Sequence, residues 1–215
     1  MTYIEYVENR IQEYTEGDPV YTSELSQKMA EDFNMPIKDA SAAVSVALGR
    51  LMDSVDSDLR FFKKGVYYRT KKTPLGETKI NKNALIADKY LKGDSGYETG
   101  LSVLNRMGLT TQIPAERVVA TNRASGCLRK DKTLDINVCP PKMPITKENK
   151  WYLQTLDAID NLSKAPIDAE QPYQLIAKHI ERTGLDYAKL LAIAGKYYNK
   201  NTVLSLAQIA GEGLK

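Results

Sequence analysis

Residues 59–69 read LRFFKKGVYYR, and how this stretch pairs decides how the chain before it folds. Leu59 to Phe62 and Val66 to Arg69 are β-prone runs rich in aromatic side chains, separated by Lys63, Lys64 and Gly65. Two such runs around a short break containing glycine predict a hairpin with a basic tip. Tyr67 and Tyr68 are adjacent in a strand and point to opposite faces, so only one of them can join a core.

Upstream the period is helical. Ile4, Val7, Ile11 and Tyr14 recur at spacings of three and four and predict a helix over 3–15, ended by Gly17, Asp18 and Pro19. Thr22 or Ser23 caps a second helix with Leu25, Met29 and Phe33 on one face, broken at Asn34 and Pro36. A third is expected over 37–54, burying Ala40, Val44, Ala47, Leu48 and Leu51 and leaving Lys38, Ser41, Ser45 and Arg50 outside that stripe. Three helices followed by a basic hairpin is the element order of a winged helix-turn-helix; a generic three-helix domain with an added hairpin is the alternative.

The expected organisation is α+β: a winged helix-turn-helix over 1–72, a polar linker over 73–83, and a second α+β domain over 84–215 with a helical C-terminal half. In the second domain, 84–91 and 98–107 read as helices, the latter stopped by Gly108. Residues 118–121 and 134–139 read as strands joined by a turn at Ala124, Ser125 and Gly126. Beyond Pro144 four helices are expected, marked by Trp151, Leu156, Ile159 and Leu162; by Leu175, Ile176 and Ile180; by Tyr187, Leu190, Leu191 and Ala194; and by Val203, Leu206, Ala207 and Ala210.

The net charge of +3 is too small to imply a polyanion partner by itself. Its distribution says more. Ten Lys and Arg residues lie between Arg60 and Lys92 against Glu77 and Asp88, whereas Glu5, Glu8, Glu13, Glu16 and Asp18 crowd the start. A helix that presents small polar side chains suits the DNA major groove, and a basic hairpin reaches adjacent phosphates. The candidate DNA-binding residues are therefore Lys38, Ser41, Ser45 and Arg50 on the third helix, with Lys63, Lys64, Arg69, Lys71 and Lys72 on and after the hairpin. A solvated lysine-rich linker is the alternative reading of the same charge.

Other classes find little support. No apolar run approaches the roughly 20 residues of a membrane span, so no membrane partner and a cytoplasmic location are expected. Cys127 and Cys139 with the single His179 do not make a zinc site of ordinary spacing and are expected as free thiols. Asp131, Asp135 and Glu148 form no catalytic motif, and Gly93, Gly96 and Gly100 form no dinucleotide fingerprint, so no enzyme, no metal and no cofactor are expected.

ALGRLMDS at 47–54 and RFFKKGVYYR at 60–69, with GYETGLSVLNRMGLTTQIPAERVVATN at 96–122, TLDINVCPPK at 133–142 and KYYNKNTVLSLAQI at 196–209, resemble the abortive-infection type IV antitoxins, the AbiEi-like family. The likeness covers nearly the whole chain and departs at Asp135, Asn137 and Cys139, where members often carry basic and aromatic residues. It implies a repressor that binds double-stranded DNA at its own promoter and autoregulates its operon. It also implies a C-terminal domain that neutralises a cognate nucleotidyltransferase-like toxin. A protein partner draws on aromatic anchors, for which Trp151, Tyr152, Tyr197 and Tyr198 are the candidates, and completion of the helical core is the alternative reading of the same residues. A stand-alone regulator whose second domain senses a ligand or dimerises is the alternative.

Overall fold

The computed structural model describes residues 1–74 and 76–213; Leu75, Leu214 and Lys215, which fall in the expected linker and second domain, lie outside the described residues. The chain is α+β and divides into two compact units, Met1–Leu85 and Ile86–Lys215.

In the first unit, α1 (Tyr3–Gln12) starts in a capping box: the Glu5 amide donates to Thr2 Oγ1 and the Thr2 amide donates to the Glu5 carboxylate. Val7 and Ile11 are buried, as their spacing predicts, and so is Tyr6. A strand that periodicity does not reveal, β1 (Pro19–Tyr21), follows, and then α2 (Thr22–Asp32) and α3 (Ile37–Met52). The cap expected of Thr22 or Ser23 is not made by either side chain, since Tyr21 occupies that position; the Thr22 amide donates instead to the Gly65 carbonyl at 3.1 Å. Ala40, Val44, Ala47 and Leu48 pack with Leu25 and Met29 of α2 and with α1. Leu51 is half-buried at the edge of this core, and α3 ends two residues short of the expected limit.

β2 (Leu59–Lys63) and β3 (Val66–Arg69) form the expected hairpin, and β1 joins it to give an antiparallel sheet in the order β1-β3-β2. Tyr67 is the tyrosine that packs on the core, edge-to-face with Phe61 across the strand pair. Residues of the expected linker are held against this sheet. Gly17 donates its amide to the Arg69 carbonyl at 2.8 Å and accepts the Asn81 amide at 2.7 Å, at φ +89°, where a Cβ would come within 3.1 Å of the Lys79 carbonyl. β4 (Lys72–Thr73) and β5 (Gly76–Glu77) pair with each other, and Thr70 Oγ1 donates to the Thr78 carbonyl. The segment thus folds back as part of the first unit rather than running free. α4 (Lys82–Ile86) and a π-helical turn, Ala87–Leu91, carry the chain into the second.

The second unit holds a four-stranded sheet, β6 (Gly96–Thr99), β7 (Arg117–Thr121), β9 (Ile136–Cys139) and β8 (Arg129–Asp131) in that order. Two expectations fail here. Residues 98–107 are not one helix, because Glu98 and Thr99 belong to β6 and Gly100 breaks the chain at φ +72° before the short α5 (Leu101–Arg106). Gly96 fixes the start of that strand, since a Cβ there would sit 2.1 Å from the Tyr90 carbonyl. Nor are 118–121 and 134–139 neighbours through a turn: β7 and β9 run parallel, with the charged β8 between them in sequence. Gly108 does stop the preceding helix, at φ +74°.

Four helices follow, α6 (Lys150–Asn161), α7 (Pro172–Thr183), α8 (Tyr187–Tyr197) and α9 (Lys200–Gly213). Leu153, Leu156, Ile159, Ile176, Leu190, Leu206 and Ile209 form their shared core with Tyr97 and Ala120 of the sheet. Trp151, Leu191 and Ala207, counted among the apolar markers of these helices, are exposed.

Inside this core α6 places a carboxylate. Tyr97 and Thr99 of β6 donate to Asp157 Oδ2, each at 3.0 Å, and Tyr198 donates to Oδ1 at 2.7 Å. Burial raises the Asp157 carboxyl above its ordinary range, opposed by these three donors and by the more distant Lys142. A folded-state pKa above the unfolded one means that this group's full contribution to stability exists only below the ordinary carboxylate pKa of about 4 and is lost as pH rises through the folded value. Replacing Asp157→Asn keeps the shape and removes the charge. The variant is expected to melt higher than the native chain at neutral pH, with the gap closing as pH falls toward about 4. Thermal melts across that range check it; a variant that is less stable at neutral pH would show that the donors outweigh the buried charge.

Candidate nucleic-acid interface

At about 3.6 residues per turn, the buried stripe of α3 leaves a broad outward face. Lys38, Ser41 and Ser45 are exposed on it, together with the non-polar Ala42, Val46 and Gly49. The same helical period that placed the serines also places these three. The Ser45 hydroxyl donates to the Ser41 carbonyl at 2.8 Å, so its lone pairs face outward as acceptors. The face is shallow, because none of its side chains beyond Lys38 is long. Arg50 sits apart on the flank of α3, in a groove of about 460 Å³ shared with Tyr3, Ile4 and Val46.

The hairpin divides the remaining candidates into two groups. Lys63 and Lys64 stand at the turn, where Gly65 adopts φ +80° and its carbonyl is bound by the first amide of α2. Arg69, Lys71 and Lys72 lie at the opposite end of β3. There Arg69 is not available to a partner: it pairs with Asp58 at 2.7 Å and donates to the carbonyls of Tyr14 (3.2 Å) and Gln12 (3.4 Å), with only 15% of its side chain exposed. Arg60 is engaged as well, with Glu77 at 2.9 Å, and holds that carboxyl below its ordinary range. Lys71 and Lys72 are exposed, but this end also carries Asp53, Asp56 and Asp58. The chain reverses through 53–58, so β2 runs back from this acidic loop and puts Lys63 and Lys64 at the other end of the sheet. Lys38, Ser41, Ser45, Lys63 and Lys64 are therefore the candidates set apart from these acids, and Arg69 is a structural residue.

In the second unit Asp131 and Asp135 are engaged by cations, whereas Glu148 is exposed. Asp131 accepts from Lys89 (2.6 Å) and Tyr90 (2.8 Å), and against the cost of burial these donors bring its carboxyl down to about 2. Asp135 pairs with Lys130 at 3.0 Å. Both cysteines are free, and the Cys139 thiol is pushed up to about 11, chiefly by burial and then by Asp157, so it holds its proton at neutral pH. Among the described residues no group of three or more His, Cys, Asp or Glu could hold a metal ion, and no helix is long and apolar enough to cross a membrane. Of the aromatics suggested as partner anchors, Trp151 is 56% exposed, whereas Tyr198 is committed to Asp157 and the Tyr152 hydroxyl accepts the Asp186 amide. No family model matches the chain, and no curated protein is significantly similar to it.

The two basic groups should separate in a stability measurement. Arg69→Ala leaves Asp58 and the carbonyls of Gln12 and Tyr14 without their donor and is expected to cost about 2 kcal/mol. Lys63→Ala and Lys64→Ala are expected to change stability by no more than about 0.5 kcal/mol. Urea denaturation of the three variants checks this; equal losses would place the lysines in the same clamp as the arginine.

Proposed function

We propose that Met1–Leu85 is a winged helix-turn-helix that binds double-stranded DNA, and that the chain acts as the autoregulating repressor and antitoxin of a type IV toxin-antitoxin pair. The observation that carries the DNA-binding half is the outward face of α3, made of small side chains with Ser41 and Ser45 among them and Lys38 near its start, in the same unit as a basic two-strand turn at Lys63 and Lys64. A helix of that surface enters the major groove and meets base edges through Ser41 and Ser45, while the lysines neutralise phosphates and release counterions. The sheet order β1-β3-β2, with the hairpin following α3, is the arrangement such a domain uses for its wing. The antitoxin half rests on the resemblance of residues 96–122, 133–142 and 196–209, and assigns to Ile86–Lys215 the binding of a nucleotidyltransferase-like toxin.

Binding of the full chain to a labelled duplex from its own promoter, followed by anisotropy at rising KCl, tests the first half. Affinity should fall steeply with salt. Replacing both Lys63 and Lys64 by Ala should lessen the slope of log K against log salt by about 2, near 0.9 per phosphate contact. Ser41→Gln and Ser45→Gln should instead erode discrimination between promoter and unrelated DNA while leaving the slope unchanged. Binding that ignores salt, or serine variants with full sequence preference, would remove α3 as the reader. Co-expression with a toxin encoded beside the gene, scored as growth, tests the second half; repression without rescue leaves a stand-alone regulator.

A further inference from the structure

A cleft of about 380 Å³ opens on the second unit where β6, the end of α5, the first turn of α6 and α7 meet. Trp151 forms one wall. It is the only tryptophan of the chain and is 56% exposed on a helix whose other large apolar residues are buried. Lys150 lies over its ring at 5.4 Å from the centroid and is tied to Asp94 at 3.3 Å, which steadies the indole from that side and leaves more than half of the residue open. A large aromatic surface left in water forgoes the burial that its size would reward, and it is the surface on which a planar ligand stacks.

The charge around this plate is unbalanced. Arg106, Lys150 and Arg182 line the cleft, and its one acid, Glu98, is already shared by Arg106 at 2.7 Å and by Arg117. Arg182 is exposed and makes no ion pair among the described residues. His179 completes the wall with Nδ1 shielded from solvent and without a hydrogen-bond partner among the described residues, and burial, then Arg182, lowers its pKa so that the ring is neutral at physiological pH. An excess of guanidinium and ammonium donors fits phosphate oxygens, for which arginine supplies two parallel donors. The volume lies at the lower end of the roughly 300–1,000 Å³ of small-molecule sites, enough for one base, sugar and phosphate group.

We propose that this cleft binds a mononucleotide, its base stacked on Trp151 and its phosphates held by Arg182 and Arg106. The site belongs to Ile86–Lys215 alone and does not depend on the DNA-binding reading of the first unit. The cleft and the Asp157 cluster share β6, α6 and the side chain of Tyr97.

Titration of the full chain with ATP, GTP, adenosine, inorganic triphosphate and a single-stranded oligonucleotide tests the proposal, read by Trp151 fluorescence and independently by calorimetry. Saturable binding of the nucleoside triphosphates, weaker for adenosine and for triphosphate alone, is expected. Arg182→Gln, an exposed change that leaves the fold intact by circular dichroism, should weaken it about tenfold, the loss of one charge-assisted contact. Trp151→Ala, followed by calorimetry, should weaken it by a similar factor. No saturable heat or quenching, triphosphate binding as well as ATP, capture of the oligonucleotide but not of free nucleotide, or unchanged affinity in Arg182→Gln would each overturn the assignment.

Discussion

The first unit depends on one guanidinium. Arg69 closes β3, and from there it reaches Asp58 just before β2, the carbonyl of Gln12 at the end of α1 and that of Tyr14 in the turn after it. A hairpin alone is marginal in water, and two strands need packing or a third to persist. Here the ion pair, the added strand β1 and the Gly17 hydrogen bonds to Arg69 and Asn81 together bind the hairpin to three helices. The pair is worth more than a surface salt bridge because the arginine is largely shielded and its remaining donors are met by carbonyls that a helix end would otherwise leave to water. The other end of the hairpin is tied as well, since the Thr22 amide at the start of α2 donates to the Gly65 carbonyl at 3.1 Å, beside Lys63 and Lys64.

The second unit is organised around a charge instead. Asp157 is partly buried, its carboxylate held by hydroxyl donors from a strand and from the junction of α8 and α9, so a single side chain of α6 connects three parts of the fold. None of its three donors is cationic. Burying a carboxylate costs free energy that hydroxyl donors offset only in part, and a well-packed apolar residue would fill the space at lower cost. What the carboxylate supplies is direction: both oxygens are occupied only when β6, α6 and Tyr198 stand in one register, whereas apolar packing tolerates small slides. The same strand end, through Glu98 and Tyr97, lines the cleft beside Trp151.

Where the fold was readable in the sequence, a strong period carried it. α1, α2 and α3 and the four C-terminal helices follow apolar spacings, and the β2-β3 hairpin follows its glycine-containing break. The failures have local causes. β1 is three residues long and begins with proline, too short for alternation to register. β6 was absorbed into a helix because Tyr97 and Thr99, which face the core, are followed at once by the apolar pattern of α5, and only the positive φ at Gly100 separates them. The parallel pairing of β7 and β9 is a long-range choice that no local signal reports, and β8, with Arg129, Lys130 and Asp131, carries no apolar alternation at all. Of the candidate site, the α3 face was readable because it is the complement of a buried stripe. The fate of Arg69 was not, since its partners lie 11, 55 and 57 residues away.

That distinction governs what a basic residue does in this protein. A sequence shows where cations are dense; the fold decides which of them are neutralised by acids from elsewhere in the chain. Arg10 with Asp32, Arg60 with Glu77, Arg69 with Asp58 and Arg117 with Glu98 are spent on holding elements together. Lys38, Lys63 and Lys64 in the first unit and Arg182 in the second make no ion pair among the described residues. A net charge of only +3 is therefore no measure of the capacity to bind polyanions. Pairing removes charge from the count where elements must be held together, as at Arg10, Arg60, Arg69 and Arg117, so the density of cations along the sequence overstates what the surface offers to a partner.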